Sequence, residues 1–163
     1  SSGRGSVTMS RLIKSSLRMR PDRIIVGEVR GEEVADMLQA MNTGHSGSMS
    51  TGHGNSVEGM LRRLEAMYLM AATVDMDAVR AQIAEGIDIM VHIEKIEGKR
   101  RITEITELIG YKNGQFILNS LMNMSESTGS VKATGNQIIN SRKIWLRGEK
   151  NANILRQYGF IGS

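Results

Sequence analysis

Apolar positions in the first half of the chain alternate between short continuous runs and runs at helical spacing. From about Val7 to Met19, Val7, Leu12, Ile13 and Leu17 are interleaved with Arg11, Lys14 and Arg18, and Pro21 stands just beyond, which predicts a short helix. Ile24 to Gly27 is a continuous apolar run, the pattern of a strand buried on both faces of an α/β sheet, and it leads straight into an acid, Glu28. Val34, Met37, Leu38 and Met41 then fall at i, i+3, i+4 and i+7, with Glu32 and Glu33 in the first turn and Gly44 as the stop. GSMST at 47–51 predicts a second short strand. A long amphipathic helix follows from about Val57 to Ala71, with Met60, Leu61, Leu64, Met67 and Tyr68 on one face, and Asp75 caps a further helix to about Gly86. Strand, helix, strand, helix is the order of a parallel α/β sheet.

The period changes at Ile87. Ile89, Val91 and Ile93 alternate with Asp88, Met90 and His92; EGK at 97–99 and KNG at 112–114 then separate further strand-like runs, which predicts a three-stranded antiparallel meander over about 87–120. The Ser/Thr/Gly-rich stretch from 123 to about 135 reads as a linker, followed by short helices over Ile138 to Trp145 and Asn151 to Tyr158. The expected organisation is one α/β domain over 1–122 and a linker with a short helical tail over 123–163.

Composition narrows the function classes. At 163 residues the chain is long enough for a real core, and its 12 Met against 4% aromatics suggest a loosely packed one. Without Cys there is no disulfide framework, thiol nucleophile or thiolate metal site. The absence of a long apolar run and of a signal peptide makes the cytoplasm the expected compartment. A net charge of +4 permits nucleic acid or an anionic membrane without implying either, although Lys99, Arg100 and Arg101 form a local basic run. SSGRGS at the start reads as the middle of a loop, so a piece of something longer is expected.

Three groups of residues carry candidate chemistry. Glu28, at the carboxyl end of a central strand, stands where open α/β sheets bind ligands; it suits Mg2+ or an attacking water, or else simply ends the strand and pairs with Arg30 or Lys14. TGHSGSMSTGHGNS, residues 43–56, places His45 and His53 among Gly, Ser and Thr, which lets backbone and imidazole approach a phosphate; a plain Gly-rich loop is the competing reading, and a zinc site lacks further ligands. Arg18, Arg20, Arg23 and Arg30 suit phosphoryl charge, or form a solvated basic face. His92, on the meander, reads as structural.

LRMRPDRIIVGEVRG (17–31), EEVADMLQAMNTGHSGS (32–48) and STGHGNS (50–56), in that order, resemble the secretion ATPases that power type II and type IV secretion and pilus assembly, above all tight-adherence (Tad/Flp) pilus motors and their conjugation-associated relatives. IDIMVHIEKIEGKRRITEITEL at 87–108 also looks like later strands of that family. The resemblance implies the C-terminal portion of a RecA-like P-loop NTPase domain, with a mainly parallel sheet followed by the meander. It implies that Glu28 is the Walker B acid at Mg2+ and water, and that His53 is the His-box residue near the γ-phosphate of ATP. Thr51 and His45 would flank the nucleotide, and Arg18 and Arg30 would lie near it or at a subunit boundary. Gly52 and Gly54 depart from the family's usual neighbours of this His, and the expectation is greater backbone freedom there.

A larger departure is that GxxxxGK[ST], the phosphate cradle, is nowhere in the 163 residues, and neither is the family's Asp box. The resemblance therefore implies a C-terminal fragment of a homo-hexameric motor that works with an inner-membrane platform protein on the cytoplasmic face of the membrane. Alone, the chain is expected to hydrolyse no ATP and to associate through an uncovered sheet edge. A non-catalytic oligomerisation or regulatory module remains an alternative. A DNA-binding protein is the weaker one, since nucleic acid is not expected as a direct ligand.

Overall fold

Thr8 opens the first helix, its hydroxyl accepting the Arg11 N–H at 3.3 Å, and α1 runs Met9–Leu17. A computed structural model describes residues 7–125, 127–146 and 148–162; the opening SSGRGS lies outside the described residues. The chain divides into two compact units, one ending at Gly86 and one starting at Ile87.

In the first unit α2 (Glu33–Asn42) is the central helix, meeting α1, α3 (Val57–Ala71) and α4 (Met76–Gly86). Its helical spacing buries Val34, Met37, Leu38 and Ala40, while Ile13, Leu61, Leu64, Met67, Val79 and Ile83 supply the facing surfaces. Each such large side chain contributes roughly 1.5–3 kcal/mol when fully buried. Lys14 on α1 meets Asp36 on α2 at 3.2 Å, so it is not free to reach Glu28. Ser56 caps α3 by accepting the Gly59 N–H at 3.0 Å, and Asp75 receives the Asp77 N–H at 3.2 Å before α4. Buried Glu65 on α3 pairs with Arg80 on α4 at 2.7 Å. At the end of α4, a Cβ on Gly86 would stand 3.2 Å from Leu38 Cδ2, so glycine lets α4 close on α2.

β1 (Ile25–Val26) and β2 (Met49–Ser50) pair in parallel, Ile25 opposite Met49 and Val26 opposite Ser50. The expectation of a strand buried on both faces is corrected: Ile24 and Val26 are buried but Ile25 is 66% exposed. Strand alternation sends Ile25 to the face that this two-stranded sheet leaves uncovered.

The second unit is an antiparallel sheet in the order β3 (Ile89–Ile96), β4 (Lys99–Lys112), β5 (Gln115–Met124), β6 (Val131–Ala133). The β3–β4 and β4–β5 hairpins each turn on two residues with positive φ, Glu97–Gly98 (48° and 80°) and Asn113–Gly114 (52° and 80°), the backbone that matches strand twist. The stretch expected as a linker instead returns as β6, pairing Met122 with Ala133. Two helices follow, α5 (Arg142–Leu146) and α6 (Glu149–Gln157), and the Arg156 guanidinium lies 4.5 Å from the Trp145 ring centroid. Glu107, 2% exposed, anchors the segment before α5: its carboxylate accepts from Asn119 Nδ2 at 2.8 Å and from the backbone N–H groups of Ile139 and Asn140.

One reading of the core changes. Of the 12 Met, Met37 and Met67 are the buried ones among the described residues; Leu, Ile and Val fill the rest, so the core is more sharply shaped than the Met content suggests. On β3 the alternating apolar set Ile89, Val91 and Ile93 is 41–54% exposed, and Met90 and His92 are half-buried. Alternation identifies two faces without saying which is covered.

Candidate functional site

The parallel pairing of β1 and β2 brings the two candidate segments to the same end of the sheet. Beyond the last paired residues the chains stay in step: Val29 N–H donates to the Thr51 carbonyl at 2.9 Å, and the Thr51 hydroxyl donates to the Gly27 carbonyl at 2.5 Å. Below them Ser48 Oγ accepts the Ile24 N–H at 2.9 Å. Glu28 and His53 therefore emerge side by side, 25 residues apart in sequence, with His53 Nε2 2.8 Å from Glu28 Oε1.

The other carboxylate oxygen is also engaged. Arg30 Nε donates to Glu28 Oε2 at 2.7 Å, and an Arg30 terminal nitrogen reaches the same oxygen. The pairing of Glu28 with Arg30, one of the two bland readings, is thus present, and His53 adds to it. The Glu28 side chain is 22% exposed, against 82% for His53 and 77% for Arg30. Exposed ion pairs contribute at most about 1 kcal/mol, so an incoming anion or cation can exchange these partners at little cost.

Glu33, at the start of α2, holds the turn that carries Arg30. Its Oε1 accepts the Arg30 N–H at 2.6 Å and the Gly31 N–H at 3.2 Å. Burial works to raise this carboxyl, but the backbone N–H groups of Arg30, Glu33 itself and Gly31, with the Arg30 charge, hold it below the ordinary glutamate value. Sequence reading placed Glu33 merely in a first helical turn; an acid following a Gly at a helix start was the available signal.

The remaining predicted residues separate from this group. Thr51 lies beside it, but its hydroxyl is committed to Gly27. His45 sits at the end of α2, its Nδ1 3.2 Å from the Ala40 carbonyl, while its own carbonyl accepts from the Ser48 hydroxyl at 2.7 Å. It therefore shapes the turn into β2. Arg18 is the exposed C-cap of α1, and a Cβ on Gly47 would stand 3.9 Å from Arg23 Nε. His92 pairs with Glu94 at 3.1 Å on β3.

The expected backbone freedom at Gly52 and Gly54 is also corrected. A Cβ on Gly54 would lie 3.0 Å from Met60 Cβ and 3.2 Å from Met60 Cα and N, and one on Gly52 would collide with Met60 Cε. These glycines permit close packing of the loop on α3.

As donors, the residues fit a share of a Mg-nucleotide site. Mg2+ uses one or two carboxylates and retains water, and Glu28 offers one carboxylate here, beside an imidazole and a guanidinium. Among the described residues no group of three or more His, Cys, Asp or Glu could hold a metal by itself.

The type II/IV secretion system protein family matches residues 2–93, more than half of the 163. The chain belongs to this family. It is 43% identical over 111 residues to the conjugal transfer protein TrbB of Rhizobium radiobacter, a match covering 68% of this chain and 33% of the relative. It is 38% identical over 106 residues to the type IV secretion system protein PtlH of Bordetella pertussis, covering 61% and 31%. Its fold is similar to the crystal structure of the VirB11 ATPase from the Brucella suis type IV secretion system in complex with sulphate, with a TM-score of 0.57, 31% identity, and coverage of 61% of this chain and 31% of that one. The chain thus spans about a third of the length of these relatives. No helix among the described residues is long and apolar enough to cross a membrane.

Proposed function

We propose that this chain is the portion of a RecA-like secretion ATPase that carries the Walker B acid and the His-box residue, and that in a complete protein it completes the Mg-ATP site of a homo-hexamer. The observation that carries this is the convergence of Glu28 and His53 at 2.8 Å at the end of two parallel strands. The names of the similar proteins favour conjugal transfer and type IV secretion over pilus assembly as the setting.

The residues divide the work as follows. Glu28 would hold Mg2+, directly or through water, and its carboxylate would orient and accept a proton from the attacking water. Mg2+ would supply charge neutralisation on the phosphates. His53, so exposed that its ring is free to turn from Glu28, would donate to a terminal phosphate oxygen; Arg30 would turn from Glu28 to an anion or a neighbouring subunit. Glu33 would keep the Arg30 backbone in place during that exchange. Domain movement coupled to hydrolysis would act on an inner-membrane platform protein at the cytoplasmic face.

By itself the chain would be inactive, because the phosphate cradle is not among its residues. Joining it to an upstream segment that carries GxxxxGK[ST] should give Mg-dependent ATPase activity that Glu28→Gln abolishes. A folded, hexameric, inactive product would instead favour the non-catalytic oligomerisation module.

A further inference from the structure

Met60, on the first turn of α3, touches the loop on both sides of His53. Gly52 lacks the Cβ that would strike Met60 Cε and come within 3.2 Å of Met60 Sδ, and the same position lies 3.7 Å from Val29 Cγ2. Gly54 lacks the Cβ that would press on Met60 Cβ and on the α3 backbone. Val29, which follows Glu28, is itself tied to the loop through its N–H to the Thr51 carbonyl. The Glu28 segment and the start of α3 thus both close on the His53 loop at Gly52. His53 is 82% exposed and so has little buried surface to fix it, and its place opposite Glu28 depends on the course of its backbone.

We infer that Met60 is a positioning residue: seated against Gly52 and Gly54, it sets the height of the 51–54 backbone and thereby holds the His53 imidazole on Glu28. The relevance of this to catalysis rests on the reading of Glu28 and His53 given above; the geometry does not. Methionine suits the task because its unbranched thioether fills the narrow gap that two adjacent glycine faces leave. The two glycines make unequal demands. At Gly52 the obstacle is the flexible end of Met60, whereas at Gly54 it is Met60 Cβ and the helix backbone.

That inequality gives the test. In the 163-residue chain, the His53 ring resonances are recorded by NMR, with the displacement caused by Glu28→Gln as the scale for a lost Glu28 contact and the amides of α4 as the control for folding. Gly52→Ala should displace the His53 signals most of the way to the Glu28→Gln position, and Gly52→Ala with Met60→Ala should bring them to the position of Met60→Ala alone, because the obstructing thioether is gone. Gly54→Ala should displace them too, and adding Met60→Ala should not bring them to the position of Met60→Ala alone, since Cβ and backbone remain. If the alanine variants at the glycines fail to fold, Met60→Ala alone, which introduces no clash, should displace His53 while leaving the α4 amides in place. Unmoved His53 signals in Met60→Ala, or the same response to added Met60→Ala in the Gly52 and Gly54 variants, would overturn the inference. None of these readouts depends on nucleotide turnover, so the ATPase assay can fail separately.

Discussion

Glu107→Ala removes a carboxylate that no cation pairs with in the described contacts and on which the C-terminal segment rests. The substitution leaves the Ile139 and Asn140 N–H groups, now bonded at 2.8–3.1 Å, without an acceptor, whereas Asn119 Nδ2 keeps the Gln137 carbonyl at 2.8 Å. Two stranded backbone donors would cost about 2–6 kcal/mol if they stayed dry. Ile139 and Asn140 are exposed, so water can reach the freed groups and the lower part of that range, about 2–3 kcal/mol, is expected. The reporter is the Ile138 amide, whose bond to the Phe160 carbonyl at 2.7 Å the substitution does not touch. Its hydrogen exchange should accelerate roughly 30- to 150-fold, the factor that 2–3 kcal/mol of easier local opening produces. Glu107→Gln should give a smaller effect, because its carbonyl oxygen still accepts while its NH2 faces the Asn119 amide. Ile138 exchange within about threefold of wild type in Glu107→Ala would refute the anchoring role.

Further outcomes follow from pairs elsewhere. Glu65→Ala should lower stability to urea by about 2–3 kcal/mol, since it takes the 2.7 Å carboxylate partner from the partly buried Arg80 guanidinium; replacing both Glu65 and Arg80 by apolar residues should be nearly neutral. The lowered carboxyl of Glu33 contributes stability that is present above the ordinary glutamate value of 4.5 and lost as pH falls through its folded value. Urea midpoints of wild type and Glu33→Gln should therefore differ near neutral pH and converge in acid, and a difference that does not shrink would contradict this.

How legible these features were varies with their physical origin. α3 was readable to its end residues because fifteen residues of helical spacing follow a Ser cap, and the two I′ turns announced themselves as EG and NG. The juxtaposition of Glu28 with His53 was legible only through the order of motifs, because two-residue strands leave almost no period to read. β6 was hidden because Ser, Gly and Thr surround a three-residue strand whose partner, β5, alone gives it a place. Glu107 and Glu33 were missed for a related reason: a carboxylate's backbone partners lie at distances in sequence or in turn geometries that residue type does not specify. The role of Gly52 and Gly54 was inverted. Glycine in a sequence signals both freedom and close approach, and only the position of Met60 decides between them.

The proposed function depends on Glu28 and His53 forming one side of a nucleotide site. Its most direct test is the Mg-dependent ATPase rate of this chain extended upstream to include a GxxxxGK[ST] cradle, compared with the same protein carrying Glu28→Gln and, separately, His53→Ala. Turnover is expected in the parent, with a fall of about 100-fold or more in Glu28→Gln while hexamer formation stays intact. Unchanged turnover in Glu28→Gln would contradict it.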